Sequence, residues 1–149
     1  MHRVDFVIVG GICAVLHGAP VTTFDLDVVH SRDPANIRRL LAALRVLEAH
    51  YRMGGRRNRG PDESHLASAG HQLLLTRYGP LDLLGSIGAG HDYQALLTHT
   101  VQFRIGSRLT VRALDLPTLI DVKQETAGEK DKAVLPILRR TLEEKLRRR

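Results

Sequence analysis

Apolar positions fall in short blocks along this chain, and their spacing changes from one block to the next. Phe6 to Val9 is a compact, β-branched run that predicts a buried strand, stopped by Gly10-Gly11. Ile12 to Leu16 predicts a short helix, closed by His17-Gly18-Ala19-Pro20. From Phe24 to His30, Phe24, Leu26 and Val28 alternate with Asp25, Asp27 and Val29, the period-two pattern of a strand. Asp33-Pro34 then predicts a helix start, with Asp as N-cap and Pro in the first turn. Ile37, Leu40, Leu41, Leu44 and Leu47 follow at helical spacing, and Arg38, Arg39, Arg45 and Glu48 mark the opposite face.

Residues 52–70 are polar and Gly-rich and predict a mobile loop interrupted by a short turn. Gln72 to Thr76 and Leu81 to Ile87 predict two strands joined by Tyr78-Gly79-Pro80. A short helix is expected over Asp92 to Leu97, and a strand pair, Val101 to Ile105 and Leu109 to Ala113, around Gly106-Ser107. One helix begins near Asp115-Leu116-Pro117 and reaches about Thr126. After Gly128, another runs from about Glu129 towards Arg149, with Pro136 bending or restarting it. There is no internal repeat. The hairpin-like joints argue against an all-parallel, doubly wound sheet. The expected class is α/β (α+β): a single mixed β-sheet packed with helices, with a helical C-terminal element from about residue 115.

The length, 149 residues, suits one domain spanning 1–149. Aromatics make up 4% and Trp is absent, so the core must be built from Leu, Val, Ile and Ala. Lys and Arg number 22 against 16 Asp and Glu, a formal +6 that favours anionic partners: nucleotides, nucleic acid or acidic proteins. The single cysteine, Cys13, excludes an internal disulfide and points to a reducing compartment. The first residues lack the apolar core of a signal peptide, and no apolar run approaches the ~20 residues needed to span a bilayer. A cytoplasmic protein without a membrane partner is expected.

The chemistry-bearing feature is Asp25-Leu26-Asp27 within a strand. Alternation places both carboxylates on one face and Phe24, Leu26 and Val28 on the other, the core face. Neighbouring carboxylates repel, and a divalent cation removes the conflict; the plainer reading is a polar strand face open to water. Gly10-Gly11, between a strand and a helix, either lets the backbone approach a phosphate or simply makes a tight turn. No Gly-Lys-Ser/Thr follows it, and there is no G-x-G-x-x-G, so it is neither a Walker A loop nor a dinucleotide fingerprint. Asp82, flanked by Leu81 and Leu83, is costly to bury alone. It either sits at a strand edge facing solvent or completes a three-carboxylate site with Asp25 and Asp27.

Together these residues resemble a family. Gly10-Gly11, thirteen residues, Asp25-Leu26-Asp27 and a later apolar-Asp-apolar strand look like the nucleotidyltransferase superfamily with the DNA polymerase β-type fold. The segments from Val9 to Gly18 and from Thr23 to Asp27 are similar to small bacterial members, including AbiEii-type toxins of toxin–antitoxin systems. Gly79 to Leu84 fits their third-carboxylate strand, and Leu119 to Lys123 with Glu129 to Asp131 resembles their C-terminal helical element. The Arg that such proteins often carry shortly before the D-x-D is absent, with Val21 near that place.

The resemblance implies a metal-dependent transfer of a nucleoside monophosphate from a nucleoside triphosphate to a hydroxyl of RNA (tRNA in particular), protein or a small molecule. It implies that Gly10 and Gly11 lie against the triphosphate and that Asp25, Asp27 and Asp82 hold Mg²⁺ or Mn²⁺. It further implies Lys123 facing phosphate, Asp131 orienting it, and an antitoxin protein as a partner. A catalytically silent nucleotide- or partner-binding module of the same fold is the alternative.

Other polar features carry plainer expectations. Cys13 is expected to pack as a small hydrophobe. No Cys or His cluster has zinc spacing, and all eight histidines are expected in surface or capping roles, with His17 nearest the glycine turn. Arg56, Arg57 and Arg59 form a basic loop that suits a nucleic-acid acceptor or a solvated surface.

Overall fold

The computed structural model of the chain describes residues 2–53, 59–126 and 128–148, and for 129–131 the backbone alone. Two of the arginines in the basic loop, Arg56 and Arg57, lie outside the described residues, as does the side chain of Asp131.

The strands are β1 (Phe6–Val9), β2 (Leu26–His30), β3 (His50–Tyr51), β4 (His71–Thr76), β5 (Gly79–Leu84), β6 (Thr100–Ile105) and β7 (Leu109–Leu114). The helices are α1 (Gly10–Leu16), α2 (Pro34–Val46), α3 (Glu63–Ala67), α4 (Tyr93–Leu97), α5 (Leu116–Glu125) and α6 (Glu129–Arg147). All seven strands join one sheet in the order β3-β4-β5-β2-β1-β7-β6. Two neighbouring pairs, β2/β5 and β1/β7, are parallel and the rest antiparallel. The expected mixed α/β sheet is the one observed.

Local chemistry accounts for most boundaries. Asp33 caps α2 by accepting from the Ala35 amide, and Asp92 and Asp115 do the same for α4 and α5. Leu40 and Leu44 of α2 face Val28 and His30, which project from one face of β2, across a small apolar cavity. Alternation turns Asp27 and Val29 to the opposite face, the side of α1, α5 and α6.

Several expectations need correction. β2 begins at Leu26, so Phe24 and Asp25 lie before the strand, and Phe24 is 84% exposed rather than in the core. The reason is a lack of partners: β1 pairing ends at Val9↔Asp27 and β5 pairing begins at Leu26↔Leu81. Gly10 and Gly11 form the first turn of α1 instead of preceding it. The β4–β5 turn is Arg77-Tyr78, with Gly79 and Pro80 already paired to Thr76 and Leu75, and β5 stops at Leu84. Helix α6 continues through Pro136.

The stretch read as a loop holds α3, fastened by a capping box between Asp62 and His65. Two histidines are buried, not at the surface. His30 Nε2 pairs with the Leu66 carbonyl at 2.8 Å, and His17 Nε2 with the Leu114 carbonyl at 2.7 Å. Burial lowers the pKa of each below its ordinary 6.5. Cys13 is buried as expected, its thiol donating to the Leu114 carbonyl at 3.3 Å and its pKa pushed by burial up to about 12.

The start of β1 is tied to the end of β2 by Asn36, which is fully buried in α2. Its Nδ2 donates to the carbonyls of Asp5 (3.1 Å) and Ser31 (2.8 Å), and its Oδ1 accepts from the Asp5 amide at 2.7 Å. Asn36→Ala removes the side-chain partner of the Asp5 amide and of the buried Ser31 carbonyl, while the Asp5 carbonyl keeps the Ser31 amide at 3.0 Å. It should cost about 2–4 kcal/mol, read as a lower urea midpoint with an unchanged slope.

Candidate active site

In the parallel β2/β5 register Asp27 stands opposite Asp82. Their carboxylates reach each other, a contact that forms a hydrogen bond only while one of them keeps its proton. Asp27 Oδ1 and Asp82 Oδ1 are both buried and receive no hydrogen bond among the described residues. Burial, first, and then the hydrogen bond and charge of Asp82 push the Asp27 carboxyl up to about 7, with Asp25 adding repulsion and Lys123 opposing it.

Asp82 has one cationic neighbour that sequence patterning did not reveal. Arg52 Nη1 lies 3.0 Å from Asp82 Oδ1 and donates to the Leu74 carbonyl at 3.1 Å. Its alignment on the carboxylate gives charge compensation but no directed hydrogen bond, so that oxygen remains without a donor. Arg52 follows the two-residue strand β3, too short for alternation to register, and its amide bonds the Leu73 carbonyl across β4.

The glycines are required by what packs on them. A Cβ at Gly10 would fall 2.3 Å from Asp27 Oδ2, and one at Gly11 would fall 2.6 Å from Thr23 Oγ1. Gly10 also has a φ of +68°, a left-handed conformation natural to glycine. The segment leading into β2 is therefore seated directly against the first turn of α1. The close approach expected of these glycines is made in part by the protein's own carboxylate.

Asp27 opens into a cavity of about 380 Å³, lined also by Gly10, Gly11, Phe24, Asp25 and Lys123. That volume lies within the range of small-molecule sites, about 300–1,000 Å³. A larger recess, about 470 Å³, lies between α2 and the start of α3 among Leu41, Arg45, Glu48 and Pro61, away from the carboxylates. The chemistry singles out the smaller cavity. Of the residues named from sequence, Asp27 and Asp82 are brought together. Asp25, Gly10, Gly11 and Lys123 line the cavity beside them.

Among the described residues no three His, Cys, Asp or Glu side chains stand together as a ready-made metal cage. A hard cation such as Mg²⁺ does not need one, because one or two carboxylates plus water and substrate phosphates usually hold it. The donor set fits such an ion: two adjacent carboxylates, with Asp27 Oδ1 buried and served by no donor among the described residues and Asp82 Oδ1 met by the Arg52 charge.

No family model matches the chain, and no curated protein does. Among solved structures, a Thermotoga maritima protein described provisionally as a nucleotidyltransferase is similar. It covers 99% of this chain and 84% of its own length, with a TM-score of 0.54 and 17% sequence identity. At that identity the likeness is one of fold alone, the mixed seven-stranded sheet packed with helices. No helix among the described residues is long and apolar enough to cross a membrane.

The raised Asp27 carboxyl has a signed consequence. An unfolded chain releases this proton near 3.8, whereas the folded chain holds it until about 7. Between those values the folded state binds more protons, so this group's contribution to stability falls as pH rises. Asp27→Asn should therefore stabilise the metal-free protein at pH 8 by about 1–3 kcal/mol and give little gain at pH 4. Melting curves in chelator at the two pH values check this.

Proposed function

We propose that this chain is a metal-dependent nucleotidyltransferase, moving a nucleoside monophosphate from a nucleoside triphosphate to a hydroxyl acceptor. The observation that carries the reading is the register of Asp27 on Asp82, two carboxylates in contact beside a glycine-walled cavity, with Asp27 Oδ1 buried and without a donor among the described residues. The nucleotidyltransferase-like fold supports the same class.

In this reading Asp27 and Asp82 hold Mg²⁺ or Mn²⁺, with Asp25 as the third carboxylate on the cavity wall. Gly10 and Gly11 present backbone without side chains to the triphosphate, and Lys123 supplies positive charge on the same wall. The acceptor oxygen bonds to the α-phosphorus in line with the departing bridge oxygen, the hydroxyl proton passes to solvent and pyrophosphate leaves. The bound cation supplies a lowered pKa for the acceptor hydroxyl and neutralises charge on the pyrophosphate. The chain's own contribution is placement: the β2/β5 register fixes the carboxylates, and the Gly10 and Gly11 contacts fix the cavity wall against them.

For the acceptor, the formal +6 charge favours an anionic class, RNA or an acidic protein. The finer placement, an AbiEii-type toxin held by a cognate antitoxin protein, rests on the sequence resemblance of the segments from Val9 to Gly18, Thr23 to Asp27, Gly79 to Leu84 and Leu119 to Asp131. The second reading, a catalytically silent nucleotide-binding module, draws on Arg52, which already compensates Asp82 without a metal.

Incubation with each labelled triphosphate, Mg²⁺ and cellular RNA or protein separates the two. Transfer of label by the wild type, falling at least about a hundredfold in Asp27→Asn and Asp82→Asn, is expected. Triphosphate binding with no transfer to any acceptor would favour the silent module, and absence of both would overturn the class.

A further inference from the structure

Phe24 is the most exposed large apolar side chain among the described residues, at 84%, and it belongs to none of the core packing. The chain has three phenylalanines. Phe6 packs against the core, and Phe103 meets the His17 ring edge-on at 5.0 Å. Only Phe24 presents its ring to solvent, and it does so on the wall of the cavity that Asp27 opens into.

Its position is fixed from both sides. On its N-terminal side, Thr23 fills the space that a Cβ would take at Gly11 and donates from Oγ1 to the Asp25 carbonyl at 3.4 Å. On its C-terminal side the chain enters the β2 ladder, with Leu26 paired to Leu81. The ring is thus exposed on an anchored segment. Three peptide steps separate Phe24 from Asp27, a span of at most about 11 Å. That is the scale on which a ribose separates a nucleobase from its phosphates.

We propose that Phe24 is the stacking platform for the nucleobase of the bound triphosphate, which makes it the base subsite of the site described above. The inference rests on the nucleotidyltransferase reading and adds what that reading lacks, a partner for the base. An aromatic ring offers the same face to every base, so stacking on Phe24 is sequence-tolerant. The donor site accordingly accepts all four common nucleoside triphosphates with similar affinity.

The chain contains no Trp, so Phe24→Trp places a lone indole at the subsite. With Mg²⁺ present, its fluorescence should be quenched by each of the four triphosphates and unchanged by inorganic triphosphate. In calorimetric titrations Phe24→Ala should weaken the binding of each nucleoside triphosphate by about tenfold, and binding of inorganic triphosphate by less than about twofold. Because the side chain is exposed and outside the core, the melting temperature of Phe24→Ala should match the wild type.

If both nucleoside and inorganic triphosphate bind but neither quenches Phe24→Trp, and Phe24→Ala binds all of them as the wild type does, the stacking proposal is overturned while the phosphate site stands. Quenching by RNA in place of the triphosphate overturns it too, because the ring then serves the acceptor. If neither triphosphate binds the wild type, the nucleotidyltransferase reading itself fails and takes the subsite with it.

Discussion

Two carboxylates in register on neighbouring parallel strands repel each other, and partial burial deprives them of the water that would otherwise screen them. Asp27 and Asp82 are in that position because β2 and β5 pair Leu26 with Leu81 and continue in step. A proton shared between them, or a cation, relieves the conflict. The burial that makes the pair costly in the apo protein also raises its attraction for a hard cation. The fold supplies that cost from its packing, since the strands on either side of Asp27 are held by the apolar core and not by the acids themselves.

The surrounding contacts keep the pair from relaxing apart. Gly10 leaves just enough room for the Asp27 carboxylate against α1, and Gly11 does the same for Thr23. At the other end of the β1/β2 ladder, Asn36 joins the chain before β1 to the chain after β2 through three hydrogen bonds. Arg52 balances part of the charge on Asp82 from the far side, anchored on the Leu74 carbonyl. A glycine pair and a guanidinium thus converge on one electrostatic problem. Strain and unsatisfied oxygens of this kind gather where a ligand completes the structure.

Much of the fold was legible in the sequence because short-range signals wrote it. The β-branched run at Phe6 to Val9, the Asp33-Pro34 start and the leucine spacing of α2 each announce one element and bury one face. The register that sets Asp27 beside Asp82 was not legible, since pairing between strands more than fifty residues apart leaves no local trace. Alternation also misled at Phe24. A period-two pattern predicts faces only where partners exist, and the ladder begins two residues later. Arg52 stayed hidden because β3 is two residues long, and the burial of His17 and His30 because each finds a distant backbone carbonyl.

The central claim is that Asp27 and Asp82 form one cation-binding pair. Crystals soaked in Mn²⁺ and a non-hydrolysable nucleoside triphosphate test it by anomalous scattering. The account predicts an anomalous peak about 2.1 Å from an oxygen of each carboxylate, with phosphate oxygens completing the shell. Mn²⁺ bound elsewhere with Asp27 and Asp82 still facing each other without it, or no peak at saturating Mn²⁺, would contradict it.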